Sequence, residues 1–300
     1  MKTKQQEETL NYFEAYAKDW KEKAMGQKVA QVNVITQRNN YVLEVIKMRN
    51  ENLKTLDVGC GTGELVHEIA KLNIHSIGVD FSSEMIKQAK DVATDQNLKY
   101  AEFICSSIFD FSIESASLDV LSANGFIEYI SHEQFDLFLI NSYESLKKNG
   151  SIVLGSRNRL FNAVSMNQFT LDEIDSNNIE KLLKEAVQLT NLSNPLDLLK
   201  TDSVSQENAD KTHGNTGIDV STRHQYTPSQ LVKLLDAKGF VVKELCPIHI
   251  HGVTPSFITN YKEVHYNISN LLSQVSNEDS ACRNKLIPFA SSFMIHATKK

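Results

Sequence analysis

The stretch LDVGCGTGEL, residues 56–65, decides the fold of this chain. An apolar run leads into it and an apolar helical pattern begins at Leu65, so the segment predicts a buried strand, a tight turn and the start of a helix. Glycines lack a Cβ and let a ligand approach the backbone closely, while the first N–H groups of a helix can bind polar or anionic atoms. The turn therefore predicts a nucleotide-type pocket. Its three glycines are Gly59, Gly61 and Gly63.

The spacing of these glycines separates two classes of nucleotide. A dinucleotide-binding turn has the pattern G-x-G-x-x-G, which would need a glycine where this chain has Glu64. The pattern here is G-x-G-x-G, and Asp57 comes two residues before its first glycine. A carboxylate at that strand end could meet the ammonium or sulfonium group of S-adenosylmethionine (SAM). The segment resembles motif I of the class I SAM-dependent methyltransferases. A structural glycine turn in another kind of α/β protein is the alternative.

A second acid, Asp80, ends the next predicted strand, 76–80. Two neighbouring parallel strands would place it beside the glycine turn, where its two oxygens can accept both ribose hydroxyls of a nucleoside. The alternative is that Asp80 caps the next helix, although Ser82 can serve as that cap. The pattern from Asp80 to Ala89 again resembles the methyltransferase family. The resemblance implies that Phe81 and Met85 line the adenosine pocket, while a core position for Met85 remains an alternative.

Residues at the ends of the third and fourth predicted strands extend this cofactor site. The family usually has an acid where this chain has Ser106 or Ser107. A serine hydroxyl can also accept a hydrogen bond from the adenine amino group, but less strongly than a carboxylate does. Ile108 would supply an apolar wall for the ring. Asn124 is expected to contact the ligand, because ligands of open parallel sheets bind beyond the carboxyl ends of the strands, and the resemblance implies that the methyl-donor sulfur lies near it. The resemblance also implies that Cys60, within the turn, contacts the cofactor.

Two helices are predicted before the first strand. Aromatic residues recur at helical spacing over 9–24, with Trp20 the last of them, and a second helix is predicted over 36–48. The first helix either packs on a core or, as the resemblance implies, folds over the cofactor as a lid. Arg38 either reaches the cofactor carboxylate or is a surface arginine.

Charged residues near the ends of the fourth and fifth strands are candidates for contact with the methyl acceptor. Arg157 and Arg159 either clamp a carboxylate or phosphate of the acceptor or are exposed loop charges. Glu128 is a candidate base, but the sequence favours a solvent-facing glutamate at a helix start.

Histidine is the natural base for a phenol or sugar hydroxyl, because its pKa lies near neutrality. His224 and His251 are the candidates, and the alternative for each is a satisfied core or surface histidine. His249 and Cys246 lie close to His251 in the sequence, but no second spaced pair accompanies them and methyl transfer does not require a metal. The sequence therefore predicts no metal site.

The strand and helix patterns together predict an α/β fold: a seven-stranded, mostly parallel, doubly wound sheet with helices on both faces. The predicted organisation has four parts. They are an N-terminal helical lid at 1–50, a SAM-binding core at 51–157, a substrate-cap insert at 158–226, and the remainder of the sheet at 227–300 with a loop and helical insert at about 251–288.

Composition limits the remaining function classes. The chain has 31 basic and 37 acidic residues, and no cluster of Lys and Arg suggests nucleic acid. Four widely spaced cysteines indicate reduced thiols, and neither a signal peptide nor a membrane span is apparent. We therefore expect a soluble cytoplasmic enzyme, a monomer or homodimer, that methylates a small molecule at oxygen and leaves S-adenosylhomocysteine (SAH). Methylation of an amine or amino sugar, and SAM binding without catalysis, are the alternatives.

Overall fold

The computed structural model describes residues 4–16, 33–49, 53–206 and 223–300, apart from the side chains at 4, 280 and 281. Its strands are β1 (Lys54–Val58), β2 (His75–Asp80), β3 (Ala101–Cys105), β4 (Leu118–Asn124), β5 (Leu146–Arg157), β6 (Phe240–Ile250) and β7 (Ala290–Lys299). They form one sheet in the order β3-β2-β1-β4-β5-β7-β6. β7 runs opposite to the other six strands of this sheet, which are parallel to one another. The predicted fold class is confirmed.

Helices lie before, between and after the strands. Several begin where the sequence supplies a cap: the Ser131 hydroxyl accepts from the Gln134 N–H, and the Thr227 hydroxyl accepts from the Gln230 N–H. No helix in the described ranges is both long and apolar enough to cross a bilayer. The helices are α1 (Lys4–Ala15), α2 (Val34–Lys47), α3 (Glu64–Lys71), α4 (Ser83–Asp95), α5 (His132–Ser145), α6 (Gln168–Asp175), α7 (Ile179–Thr190), α8 (Pro228–Ala237), α9 (Pro255–Ile258), α10 (Lys262–Glu278) and α11 (Ser280–Leu286).

Apolar residues on both faces of the sheet are buried, as a doubly wound sheet requires. Adjacent residues of β4 belong to different cores: Leu121 packs in the core that includes Phe135 of α5, and Val120 in the core that includes Val42 of α2. Because side chains alternate along a strand, these two cores lie on opposite faces. Helices therefore cover both faces.

The strand order reverses between β1 and β4. β1 pairs with β2 on one side and with β4 on the other, so β2 and β3 extend the sheet from one edge of β1 and the chain then returns to add β4 at the other edge of β1. The crevice beyond the carboxyl ends at such a reversal is the ligand site of open α/β sheets. This topology gathers the residues that follow β1, β2 and β4.

Two segments differ from what their local sequence would suggest. The segment KKNG, 147–150, has the composition of a turn but lies within β5, although Asn149 has a φ of 62° and the pairing of β4 with β5 shifts register opposite it. The turn is thus absorbed as an irregularity of the strand. The helical pattern of 170–191 forms two helices, α6 and α7, because Asn177 between them adopts a φ of 55°.

Candidate functional site

A cavity of about 710 Å³ lies across the carboxyl ends of the central strands. Gly59, Asp80, Asn124 and Arg157, each at or just beyond the end of a different strand, line it, and Phe13 of α1 lines it from the N-terminal helix. Its volume falls within the range of about 300–1,000 Å³ typical of small-molecule sites. The cavity is therefore large enough for a cofactor-sized ligand.

The glycine turn forms one end of this cavity. Gly59 and Gly61 have φ values of 68° and 52°, in the left-handed region that favours glycine. The N–H groups of Gly59 and Cys60 both donate to the Val79 carbonyl of β2, at 2.8 and 3.2 Å. The turn is thereby tied to the neighbouring strand, with backbone of Gly59, Cys60 and Gly61 facing the cavity.

Asp80 connects the turn to the start of α4. One carboxylate oxygen accepts from the Gly61 N–H at 3.0 Å and the other from the Ser82 N–H at 2.9 Å. The side chain is buried, and burial raises the pKa of the Asp80 carboxyl, although these backbone hydrogen bonds oppose the rise. Each carboxylate oxygen has a further lone pair, so Asp80 can accept from a ligand as well.

Asp57 is the second acid at this end. Its side chain is 5% exposed and accepts a hydrogen bond from the Ser122 hydroxyl at 2.6 Å. Burial raises the pKa of Asp57 to about 7, and the charge of Asp80 adds to the rise. A cation placed over the turn would favour the ionised form.

The walls beside the turn carry the predicted adenosine-pocket residues. Met85 is buried, and the Ser107 hydroxyl accepts from the Phe109 N–H at 3.3 Å. Asn124 Nδ2 donates to the side-chain Oδ1 of Asn39 at 3.1 Å, and Asn124 Oδ1 has no hydrogen-bond partner among the described residues. All the wall residues line the same cavity; they are Phe81, Met85, Ser107, Ile108 and Asn124.

Farther along the cavity, a buried glutamate lies between two arginines. Glu128 is only 2% exposed; Arg38 donates to its Oε1 at 3.2 Å, and Arg223 Nε lies 3.6 Å from its Oε2. Arg38 also donates to the Ser292 hydroxyl at 2.5 Å. The prediction of a solvent-facing Glu128 is therefore wrong, because the insert and α2 bring arginines over it.

Cations outnumber anions among the described residues in this part of the cavity. Burial lowers the pKa of Arg157 to about 10, and repulsion by Arg223 adds to the shift. Arg223 is 8% exposed and lies over the Tyr129 ring, 5.8 Å from its centroid. Its Nε and Nη1 have no hydrogen-bond partner within the described part of the chain. Three guanidinium groups thus surround the single carboxylate of Glu128, and the surplus favours an anionic ligand.

Three histidines lie together at the far wall. His249 and His251, at the end of β6, line the cavity, and His265 of α10 is buried behind them. Burial lowers the pKa of His249 to about 4 and that of His251 to about 2, so both are neutral near pH 7. His251 also packs against the Phe161 ring, with centroids 4.5 Å apart.

Most of the predicted site residues are brought together around this cavity. Thirteen of them line it: Arg38, Asp57, Gly59, Cys60, Gly61, Asp80, Phe81, Met85, Ser107, Ile108, Asn124, Arg157 and His251. Trp20 lies outside the described residues.

Three predicted site residues do not line the cavity. Gly63 begins α3 with a φ of 84°, and a Cβ there would lie 2.6 Å from the Phe103 ring, so its glycine serves close packing. Arg159 is buried in a two-pronged pair with Glu173, at 2.7 and 2.9 Å. His224 packs on His132, with ring centroids 4.2 Å apart. Arg159 is thus held in a buried ion pair and His224 against another ring, and neither side chain lines the cavity.

Sequence reasoning missed several cavity residues. Glu128 and Arg223 belong to no motif that predicts a buried charged pair, and Phe161 and Tyr129 carry no motif. His265 lies 14 positions beyond His251 on another element, so only the folded chain, which brings ring nitrogens of the three histidines within 4.8 Å of one another, singles it out.

The fold and the glycine turn define a class: an α/β protein that binds a nucleotide-type cofactor at the carboxyl ends of its central strands. Residues 49–221 match the family described as "Methyltransferase domain". The chain belongs to this family, the class I SAM-dependent methyltransferases.

Individual relatives agree with this family. The mouse mitochondrial ubiquinone biosynthesis O-methyltransferase is 30% identical over 112 residues, which cover 36% of this chain and 29% of that protein. Maize phosphoethanolamine N-methyltransferase 1 is 30% identical over 104 residues, covering 34% of this chain and 20% of that protein. The matched region thus spans less than half the length of either relative.

Solved structures match over more of the chain. A SAM-dependent methyltransferase from Methanosarcina mazei has a TM-score of 0.52 at 18% identity, covering 85% of this chain and 96% of that one. Magnesium protoporphyrin IX methyltransferase from Synechocystis, crystallised with SAH, has a TM-score of 0.56 at 13% identity and covers 97% of both chains. At these identities the matches establish the fold.

Proposed function

We propose that this protein transfers the methyl group of SAM to a hydroxyl of a small molecule that carries a carboxylate or phosphate. The single observation that supports this most strongly is one continuous cavity with two chemically different ends. The glycine turn with Asp57 and Asp80 lies at one end, and Arg157 and Arg223 lie at the other. A cationic donor and an anionic acceptor would then meet between them.

The donor end has groups suited to SAM. Asp80 would accept the ribose hydroxyls while it holds the turn, and ionised Asp57 would lie near the positive charge of the cofactor. Backbone of Gly59 and Gly61 allows close approach. Arg38 would bind the cofactor carboxylate, because its Nε has no hydrogen-bond partner in the described part of the chain.

At the acceptor end, Arg157 and Arg223 would bind the anionic group. Arg223 is buried, and two of its nitrogens lack hydrogen-bond partners among the described residues, so a bound carboxylate or phosphate would satisfy them. Glu128 would keep Arg38 and Arg223 in place, since it pairs with both.

The reaction is an in-line displacement. The acceptor oxygen forms a bond to the methyl carbon, the bond from that carbon to sulfur breaks with its electrons going to sulfur, and the hydroxyl proton leaves to solvent. SAH and the methyl ether are the products. SAM is already activated, so orientation of the two reactants supplies much of the catalysis, up to roughly 7–11 kcal/mol in favourable systems.

Methylation of nitrogen in a phosphorylated amine is the second candidate. The arginines at the acceptor end favour it equally, and one relative is named a phosphoethanolamine N-methyltransferase. Oxygen remains our first proposal, because several relatives are named O-methyltransferases and, among the described residues, Glu128 is the one carboxylate at the acceptor end that could attract a cationic amine.

The proposal is tested by incubating the protein with SAM and a panel of hydroxy acids, phosphorylated amines and their uncharged analogues. SAH and methylated product are measured by mass spectrometry. We expect activity with an anionic acceptor. Arg223→Met should raise its KM about 10- to 100-fold, the value of a hydrogen bond to a charged group of about 1.5–3 kcal/mol. The KM for SAM should change little.

Arg49→Met is the matched control, because Arg49 bonds to the Asn149 carbonyl and the Ser151 hydroxyl and does not line the cavity. SAH binding by each variant shows that it has folded, and Arg157→Met provides a second test of the same subsite. Turnover of uncharged analogues as efficient as that of the acids, or an unchanged KM in both cavity variants, would contradict the anionic acceptor.

A further inference from the structure

The three histidines at the far wall of the cavity are close enough to share one ion. One ring nitrogen from each of His249, His251 and His265 lies within 4.8 Å of those of the other two. The nearest pair is His249 Nε2 and His265 Nε2, which are 3.1 Å apart. Two ligands of a tetrahedral ion, each about 2.0–2.1 Å from the metal, lie about 3.3–3.4 Å apart. A small movement of either ring would fit this pair to a metal.

The hydrogen bonds of the cluster prepare His249 as a ligand. Its Nδ1 lies 3.1 Å from the Ser291 hydroxyl, so Nδ1–H can donate there and leave the Nε2 lone pair directed at His265. A ring nitrogen held by an oxygen in this way is the usual arrangement behind a metal-bound histidine. The tautomer is inferred from these contacts.

Without an ion the cluster leaves buried ring nitrogens unsatisfied. Both nitrogens of His251 and Nδ1 of His265 have no hydrogen-bond partner in the described part of the chain. Each neutral imidazole has one donor and one acceptor, and burial without partners is unfavourable. A cation would use the acceptor nitrogens of all three rings.

The backbone at this site is strained. His249 has a φ of 55°, in the left-handed region, and its N–H donates to the Gln37 side-chain oxygen at 2.8 Å. Strained residues of this kind are concentrated at functional sites, where the surrounding structure holds them. The contact with Gln37 on α2 connects the histidines to the helix that also carries Arg38.

We propose that His249, His251 and His265 bind one divalent transition-metal ion of the zinc class, with a coordination position open to the cavity. Three neutral imidazoles favour zinc and its neighbours over magnesium or calcium, which prefer oxygen ligands. Three protein ligands with one open position are the arrangement of catalytic zinc sites. Two of the three histidines line the cavity, so the open position faces the space between them.

The nearby positive charge of Arg157 determines which group completes the site. Arg157 lines the same cavity as His249 and His251, and its positive charge disfavours a bare dication there unless an anion joins it. An ionised acceptor hydroxyl would supply that negative charge. In the proposed reaction, on which this role rests, the ion would bind the acceptor hydroxyl and lower its pKa, so that the proton is released to solvent before oxygen attacks the methyl carbon.

The test uses untagged protein, treated with a chelator and then titrated with Zn²⁺ by calorimetry, with bound metal measured after dialysis. We expect one ion per chain. His265→Ala should weaken binding by at least about 100-fold, because even changes to groups behind a ligand cost about 10- to 100-fold. Ser291→Ala should weaken zinc binding by about 10- to 100-fold. His75→Ala is the matched control, since His75 is exposed and its nearest acid is Glu102.

Binding of SAH by every variant shows that the fold is retained, and Ser291→Ala keeps the test valid if His265→Ala does not fold. Zinc bound equally well by the wild type and both variants, or not bound by the wild type, would overturn the site. Zinc binding without methylation of any acceptor would refute the proposed function and leave the metal site standing. Methylation that is indifferent to bound zinc would overturn the role of the ion in the reaction.

Discussion

Replacing Asp57 by asparagine is expected to stabilise the ligand-free protein at neutral pH and to weaken cofactor binding. Asp57 is 5% exposed, and its hydrogen bond from the Ser122 hydroxyl only partly offsets burial. The asparagine carbonyl can accept the same hydrogen bond. The substitution therefore removes a buried charge while it keeps the shape of the side chain.

The size of the effect follows from the pKa of Asp57, which burial raises from 3.8 to about 7. Because the folded protein binds this proton more tightly than the unfolded chain does, the free energy of unfolding falls as pH rises from about 4 to about 7. At roughly 1.4 kcal/mol per pKa unit, the cost of the charge is about 1–2 kcal/mol at pH 5 and about 4 kcal/mol at pH 8. Burial of the new amide donor offsets about 1 kcal/mol of the gain.

Urea unfolding followed by circular dichroism, at pH 5 and pH 8, measures this difference. We expect Asp57→Asn to be more stable than the wild type at pH 8 by about 2–3 kcal/mol, and the advantage to shrink or vanish at pH 5. Asp91→Asn on the outer face of α4 is the control and should change neither value. A variant that is less stable than the wild type at pH 8, or an advantage that does not depend on pH, would refute the reasoning.

Three further predictions concern cofactor binding by Asp57 and the packing of Gly63 and Arg159. Binding of SAM should release protons near pH 6.5, because a cation lowers the raised pKa of Asp57; calorimetry in buffers of different ionisation enthalpy should show this in the wild type and not in Asp57→Asn. Gly63→Ala should lower the free energy of unfolding by about 1–3 kcal/mol because of the positive φ, and by more because the new Cβ would clash with the Phe103 ring. Adding Phe103→Leu to this variant relieves only the clash, so thermal unfolding should show that only part of the lost stability returns. Arg159→Met should cost about 3–5 kcal/mol in urea unfolding, because it leaves Glu173 buried without its main partner, whereas replacing both residues by apolar ones should cost less; equal losses would contradict a buried pair.

The cofactor end of the site could be predicted from short segments of sequence. Gly59 and Gly61 with Asp57 occupy one turn, and Asp80 follows the next strand, so regular strand and helix geometry is enough to bring them together. Gly63 shows where this reasoning stops. It belongs to the same motif, yet it packs against Phe103 and does not line the cavity, a distinction that depends on contact with β3.

The acceptor end could not be predicted in the same way, because its residues come from distant parts of the chain. The local sequence predicts a surface position for Glu128, but α2 and the segment before α8 place Arg38 and Arg223 over it. Arg157 and Arg159 are two positions apart and equivalent as sequence, but one lines the cavity and the other pairs with Glu173. Burial and partners separate them.

The sequence by itself determined a seven-stranded α/β sheet with a nucleotide-type glycine turn, because strand and helix periodicity and the turn are local properties, and its resemblance to motif I implied the methyltransferase family. Tertiary structure alone decided the charge of the acceptor end and the meeting of His249, His251 and His265, residues from β6 and α10. The physical reason is desolvation: the pKa of a histidine or the reach of an arginine depends on which groups fold around it, and those groups are far away in the sequence.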